Sequence, residues 1–338
     1  MINPTKFQNV LLKELLEAGF SVGYKAYYHT YEEIIKYGEF QREELIRVMG
    51  YSNWHSLVQH AKFKEGEREF VRILGFGYML TDYIISGIDL KNKNRIVVNE
   101  LGALANFIVA IYDHFLDNQL ITETNPIRKL IGSITSSSSV FLEAVSEDNN
   151  TIEVQIFIKL ITYYFHLLKL IEKPDQRNVI AKTLKKAILK MHHANDKLLF
   201  NSYSNVPIQL LFQKSILPFV IMGLPAWILC ESFTEKNYLR HLRWMYQFGE
   251  FIALLDDATD MVEDMERGEP NLIIEAMKDI QNDDTTLIKL AKKIALMGQY
   301  VKEKQDRVIL RKEDSITKDV NIFSVCVMSW VGEEYVLD

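Results

Sequence analysis

The stretch from Phe248 to Ile274 reads FGEFIALLDDATDMVEDMERGEPNLII and shows the pattern that decides the fold. Its apolar residues recur at three- and four-residue spacing, as on one side of an α-helix. The same spacing continues through most of the chain, in which only 7 prolines and 15 glycines occur among 338 residues. This composition has too few turn-forming residues for an architecture of many short strands. The sequence therefore predicts an all-α fold.

The helical periodicity also marks the individual helices. It predicts helices over residues 5–18, 41–49, 53–63, 66–87, 96–120, 126–145, 152–171, 175–199, 207–230, 236–268, 271–281, 284–305 and 316–334. No segment rich in proline, glycine and serine divides the chain, because the serine run Ser136–Ser139 is too short for a linker. We therefore expect one large helical domain over residues 1–338, in which residues 1–95 can form an N-terminal cap.

Composition and charge narrow the class of protein. The chain carries 39 basic and 45 acidic residues, a formal net charge of −6, which argues against nucleic acid as a partner. Its two cysteines, Cys230 and Cys326, lie far apart and form neither a zinc nor a disulfide pattern. A reduced, cytoplasmic location is the expectation that follows.

Two segments bear on targeting and on membrane insertion. The N-terminus places Lys6 and Lys13 among apolar residues, as in an amphipathic helix rather than a signal peptide. The longest uncharged run, Ser215–Cys230, has 16 residues and includes Pro218 and Pro225, which we expect to break or kink a helix. Because a membrane-spanning helix needs ~20 apolar residues, we expect no integral membrane segment.

One face of the helix predicted over 236–268 is acidic. Five carboxylates and one guanidinium share roughly a third of its circumference, namely those of Asp256, Asp257, Asp260, Glu263, Asp264 and Arg267. Like charges one turn apart destabilise a helix, and carboxylates near its C-terminus meet an unfavourable macrodipole. Bound Mg²⁺ would offset these penalties, since it takes one or two carboxylates and leaves other positions for water and phosphate oxygens.

An apolar strip precedes the carboxylates on the same face. Gly249, Ile252 and Ala253 lie there, one to two turns before Asp256. This order predicts that the N-terminal half of the helix lines an apolar cavity and that the carboxylates stand at one end of it.

A second stretch, FIVAIYDHFLDN (Phe107–Asn118), repeats this order. Asp113 and Asp117 lie one helical turn apart, and Val109 and Ala110 lie on the same side a turn earlier. A single acidic helix face is usually only solvated, but two helices with the same order form a far more specific signal.

The chemistry that suits this geometry is the ionisation of an allylic diphosphate. Two facing acidic helices can hold Mg²⁺ ions that neutralise charge on the leaving group. An apolar cavity shields the resulting carbocation from water, and aromatic walls stabilise it. Tyr163, Tyr164 and Phe165 are candidates for such walls, although core packing is the commoner role for such residues.

The two motifs resemble those of class I isoprenoid synthases. The stretch from Asp260 to Leu272, DMVEDMERGEPNL, is similar to the second aspartate motif of the squalene and phytoene synthase branch. Asp113 to Asn118 resembles the first aspartate motif of the bacterial large terpene synthases, the group of tetraprenyl-β-curcumene synthase. The resemblance covers the two motifs, their order, their separation and the helical pattern.

This resemblance implies a helical bundle of the isoprenoid-synthase type around a central apolar cavity. It makes Asp113, Asp117, Asp260 and Asp264 catalytic metal ligands, for a cluster of about three Mg²⁺ ions that Mn²⁺ can replace. The implied activity is that of a terpene synthase, a carbon–oxygen lyase that cyclises a linear prenyl diphosphate. A C20 substrate is favoured, with C15 or longer chains as alternatives.

Three further residues of the acidic helix, and one lysine of another predicted helix, each have two alternative roles. Asp256 and Asp257 precede the second motif by about a turn and either add ligands or hold ordered water. Arg267 is a candidate for bidentate phosphate binding, or it pairs with Glu263 one turn away. Lys214, a lone charge in an apolar segment, either binds the diphosphate or extends from a buried helix to solvent.

Departures from related patterns leave two alternatives. Residues 118–125 contain no basic residue, and this absence disfavours a prenyltransferase that simply elongates a prenyl chain. Ile111 and Tyr112 stand where head-to-head coupling enzymes usually carry an aspartate, which weakens that alternative without removing it. An alternative of another class is a non-catalytic helical scaffold that binds a partner. A homodimer is compatible with the sequence.

Overall fold

The computed structural model describes residues 4–61, 63–117, 127, 129–131, 151–171, 178–200, 207–278, 284–310 and 321–331. Within these ranges nearly every residue is helical and no β-strand occurs, which confirms the predicted all-α class. Most of the helix predicted over 126–145 lies outside the described residues, as does Ser136–Ser139.

The helices follow one another along the chain with short connections wherever the connection is described. They are Pro4–Leu15 (α1), Tyr24–Met49 (α2), Tyr51–Ala61 (α3), Glu67–Ile85 (α4), Asn92–Asp117 (α5), Ile152–Ile171 (α6), Asn178–Phe200 (α7), Ile208–Leu229 (α8), Glu235–Thr259 (α9), Met261–Arg267 (α10), Leu272–Lys278 (α11), Asp284–Ile309 (α12) and Ile322–Val331 (α13), with a π-helical turn at Leu16–Phe20 after α1.

Helix α2 begins far earlier than the predicted residue 41. Its buried face includes Thr30, Gly38 and Gln41, which do not register as apolar and so hide the periodicity. Gly38 lets α2 approach α4 closely, because a Cβ there would lie 1.9 Å from the carbonyl oxygen of Val71. Packing against α4 therefore stabilises a helix that the hydrophobic pattern alone does not reveal.

Helix α8 lies at the centre of the bundle and packs against α4, α5, α6, α7 and α9. The expectation that its prolines break it was wrong, since Pro218 and Pro225 both lie inside one continuous helix. Every residue from Leu217 to Leu229 is buried, so tertiary packing outweighs the lost hydrogen bonds. Gly223 permits close contact between α8 and α9, because a Cβ there would lie 2.3 Å from the sulfur of Met245 on α9.

One hydrophobic core connects the start and the end of the described chain. It includes Phe7 of α1, Tyr83 of α4 and Phe323 of α13. Phe20 and Phe323 are in edge-to-face contact, with ring centroids 5.5 Å apart. Residues before position 95 thus share their core with the helices that carry the acidic motifs.

In the part of the chain that the structure describes, three helical segments are long and apolar enough to cross a membrane by length and composition: 92–116, 152–171 and 208–229. The last of these has 22 residues, because the helix extends past Lys214 to residues before the uncharged run. The most apolar windows of these three segments are 61%, 50% and 72% buried inside the protein. The cytoplasmic location stays a prediction, as does the absence of a membrane segment.

Candidate functional site

The second acidic motif contains a break that the sequence did not predict. The expected helix over 236–268 stops at Thr259 and resumes at Met261, with Asp260 between the two pieces at φ −88° and ψ 2°. The Asp260 N–H still donates to the Asp256 carbonyl at 2.9 Å. The Thr259 hydroxyl donates to the same carbonyl at 2.8 Å, the kind of side-chain bond that bends helices.

Two side-chain amides bind the carbonyls next to this break. Gln8 on α1 donates from Nε2 to the carbonyls of Ala258 and Thr259, at 3.0 and 2.9 Å. Asn271 donates from Nδ2 to the carbonyl of Asp257 at 2.6 Å. The carbonyls of the irregular backbone therefore have hydrogen-bond partners from α1 and from the loop after α10.

Asn271 also ties the motif to the next helix. Its Oδ1 accepts from the backbone N–H groups of Ile273 and Ile274, at 2.9 and 3.0 Å, and so caps α11. Its Nδ2 lies 2.7 Å from Oδ2 of Asp264. Asp257 in turn accepts from the N–H of Leu272 through Oδ2. Two of the predicted site carboxylates are thus held by one short loop.

The carboxylates of this motif are crowded; those of Asp256, Asp257 and Asp264 are half-buried, and that of Asp260 is exposed. Burial, followed by repulsion from Asp260, Asp257 and Asp113, raises the pKa of Asp256 to about 8. Burial raises the pKa of Asp257 to about 7, although the bond from the Leu272 N–H works against this. Desolvation by the neighbouring protein and repulsion from Asp264 and Glu263 raise the pKa of Asp260, although its residue is exposed. The pKa of Asp264 is also raised by burial, against the bond from Asn271.

The first acidic motif faces the second across a lysine. Asp113 of α5 forms an ion pair with Lys214 of α8, with Oδ1 and Nζ 2.6 Å apart. The Lys214 ammonium also acts to lower the pKa values of Asp256 and Asp257, so its charge reaches the second acidic motif as well. The structure therefore brings Asp113 and Lys214 together with Asp256, Asp257 and Asp260. Asp117 is the last residue of α5, and its side chain lies outside the described residues.

Arg267 lies at the exposed edge of this site. Its Nη2 is 3.3 Å from Oε2 of Glu263 one turn earlier, and both side chains are more than half exposed. A pair of this kind contributes about 0.3–0.5 kcal/mol to helix stability. Arg267 also lowers the pKa of Asp260 and Asp264, so its charge reaches the carboxylates.

Glu269 extends the acidic cluster. Burial raises its pKa, and the charges of Asp264, Arg267, Lys214 and Asp113 all act on it. The sequence analysis did not select this residue.

An apolar cavity of about 50 Å³ lies among α5, α6, α7 and α8. Val109 and Tyr112 line it from α5, directly before Asp113, and Tyr164 and Phe165 line it from α6. Its residues are Ala105, Ile108, Val109, Tyr112, Ile131, Phe157, Ile161, Tyr164, Phe165, Ile188, Met191, His192 and Ile221. The cavity therefore begins within about one helical turn of the Asp113–Lys214 pair.

The apolar strip of α9 does not line this cavity. A Cβ on Gly249 would lie 2.8 Å from the carbonyl oxygen of Ile216 on α8, so the two helices are in direct contact there. Ala253 packs with Leu211 of α8 and Leu272 of α11. The strip serves helix packing and thereby sets how the second motif sits beside Lys214.

The donor set fits magnesium in its chemistry. Carboxylate oxygens are the ligands that Mg²⁺ takes in proteins, and these carboxylates repel one another in a partly buried setting. In the described part of the chain, no three Asp, Glu, His or Cys side chains already form a group of metal-binding geometry. Asp113 is turned toward Lys214 in this arrangement.

Comparisons with known proteins did not assign the chain to a family. No protein-family model matches the chain. A search of curated proteins also found no significant match. The resemblance to isoprenoid synthases therefore depends on the two motifs and on their spatial relation.

Proposed function

We propose that the protein is a Mg²⁺-dependent class I terpene synthase that ionises a linear prenyl diphosphate and cyclises the resulting carbocation. The observation that supports this most is the ion pair between Asp113 and Lys214, 2.6 Å long, whose charges act on Asp256 and its neighbours. Asp113 and the second acidic motif, about 145 residues apart in sequence, are thus close enough for their charges to interact, and Tyr112, next to Asp113, lines an apolar cavity.

The residues have separate roles in this proposal. Asp113, Asp117, Asp260 and Asp264 would hold the metal, with Asp256 and Asp257 as additional ligands. When bound, Mg²⁺ supplies Lewis-acid stabilisation of the diphosphate leaving group. Lys214 and Arg267 would supply positive charge to phosphate oxygens, Lys214 from beside Asp113 and Arg267 from the exposed edge of the second motif.

The cavity has the second role, which is to hold the hydrocarbon and exclude water. Its lining is almost wholly apolar apart from the Tyr112–His192 pair, in which the hydroxyl and Nδ1 are 3.2 Å apart. A volume of about 50 Å³ accommodates only a few water molecules. A prenyl chain of C15 or C20 therefore enters only when side chains of α5 to α8 move apart.

Product analysis tests this proposal. Purified protein is incubated with geranyl, farnesyl, geranylgeranyl and longer prenyl diphosphates, with Mg²⁺, with Mn²⁺ or with EDTA, and extracts are analysed by gas chromatography with mass detection. We expect a cyclic product of unchanged carbon number from the C20 substrate, lost with EDTA and in Asp260→Asn. The matched control is Asp89→Asn, which changes an exposed carboxylate on another part of the surface.

Other outcomes assign other functions. A product of doubled carbon number would replace cyclisation by head-to-head coupling. A folded protein that yields no product, and gains no thermal stability from Mg²⁺ with a diphosphate analogue, would favour the helical scaffold.

A further inference from the structure

The N-terminal helix reaches the break in the second acidic motif through one side chain. Gln8 lies on α1, and its two amide hydrogens serve the carbonyls of Ala258 and Thr259, some 250 residues away. Helix α1 runs along α12 and also contacts α9 and α10. The contact therefore joins the start of the chain to the backbone that carries Asp257 and Asp260.

Docking of α1 does not depend on this contact. Phe7, Leu11, Leu12 and Leu15 are buried in the core and hold the helix in place. Gln8 itself is only half-buried, beside those residues. Its amide is thus an addition to a helix that is already anchored, directed at a backbone segment within the candidate site.

The bonds have two effects on the acidic face. They fix the carbonyls just before Asp260, where the regular helical pattern is interrupted, and so fix the direction in which Asp260 projects. They also place N–H groups on the negative end of the α9 dipole, beside the closely spaced carboxylates of the motif. Both effects favour a cluster of carboxylates that is ready to accept a cation.

We infer that Gln8 is a positioning residue of the metal–diphosphate site, which acts through the α9–α10 break rather than by touching substrate. This inference extends the proposed function and depends on it. Groups that orient metal ligands through hydrogen bonds typically change metal affinity by about 10- to 100-fold when they are removed.

The test uses Gln8→Met, which keeps the length of the side chain and removes both donors. Asn9→Ala is the matched control, because it removes an exposed carboxamide from the same helix. Binding of MgCl₂ together with inorganic diphosphate is measured by isothermal titration calorimetry on the full chain. Amide hydrogen exchange is followed in peptides that cover residues 256–267, without any ligand.

We expect Gln8→Met to weaken binding about tenfold and to speed exchange over residues 256–267, while Asn9→Ala behaves as wild type. If Gln8→Met is too unstable to purify, Gln8→Asn, which keeps both donors on a shorter side chain, should show a smaller effect of the same sign. Wild-type affinity in a folded variant would overturn the role of Gln8 alone. A folded wild-type protein that does not bind Mg²⁺ with diphosphate would overturn the proposed function and this role with it.

Discussion

The crowded carboxylates predict an unusual relation between stability and pH at Asp256. Its pKa is raised from 3.8 to about 8, so the folded protein binds a proton there between these values and the unfolded chain does not. Stability from this group is therefore present at low pH and is lost as the pH rises toward and past 8. Asp256→Asn, which resembles the protonated side chain, should remove this loss.

The size of the effect follows from the same shift. A rise of about four units in the pKa lowers the free energy of unfolding by about 5 kcal/mol once the Asp256 carboxyl is fully ionised. Because Asp256 titrates together with Asp257 and Asp260, we assign about half of this free energy, or ~2–3 kcal/mol, to Asp256 alone. For a protein of 338 residues that amounts to a rise in melting temperature of about 3–4 °C.

Thermal unfolding in EDTA at pH 5 and at pH 8.5 measures this effect. We expect Asp256→Asn to melt higher than wild type at pH 8.5 and close to it at pH 5, and Mg²⁺ to stabilise wild type more than the variant. Asp89→Asn is the control, since its carboxylate is exposed. The reasoning would be refuted by a variant that melts no higher than wild type at pH 8.5, or by a difference that is equal at both pH values.

Three further changes have defined outcomes. Lys214→Ala should lower turnover of a prenyl diphosphate at least about tenfold in steady-state kinetics, because it removes the cation beside Asp113; unchanged turnover would remove its role. Asn271→Ala should destabilise the protein by about 1–3 kcal/mol in urea melts, since it leaves the Asp257 carbonyl without its amide partner. Burial lowers the pKa of His241 from 6.5 to about 4, so wild type should lose about 3 kcal/mol as the pH falls through that interval. His241→Gln should reduce this loss of stability at acid pH. An unchanged loss in the variant would contradict its assignment to His241.

The structure explains why His241 stays neutral. Its Nε2 donates to the carbonyl of Ile84 at 2.9 Å, and its Nδ1 accepts from the indole N–H of Trp227 at 2.9 Å. A second proton would displace the Trp227 bond in a buried site, and the charge of Lys304 works against it as well.

The periodic part of the fold was accessible from sequence. Helical spacing predicted α5, α6 and α8 to within a few residues, because each buries a wide apolar face that the 3.6-residue period makes visible. The acidic residues were equally visible, since two predicted helices carry the same order of apolar residues followed by carboxylates.

Features that depend on contacts between distant parts of the chain could not be predicted from the sequence, apart from the helix cap at Asn271. The carbonyls beside the break at Asp260 accept hydrogen bonds from Gln8, which lies some 250 residues away and carries no local signal. Asn271 was detectable in principle, because it follows Pro270 and precedes an apolar run, as helix N-caps do. Helix α8 continues through Pro218 because it is buried on every side. Helix propensities of single residues do not include the energy of such packing.

Diphosphate release from geranylgeranyl diphosphate tests whether Asp113 and the second acidic motif form one metal–diphosphate site. We expect Mg²⁺-dependent release by wild type, abolished by EDTA and reduced at least about 100-fold in Asp113→Asn. Release that is unaffected by Asp113→Asn, or the absence of release from folded wild-type protein at any Mg²⁺ concentration, would contradict it.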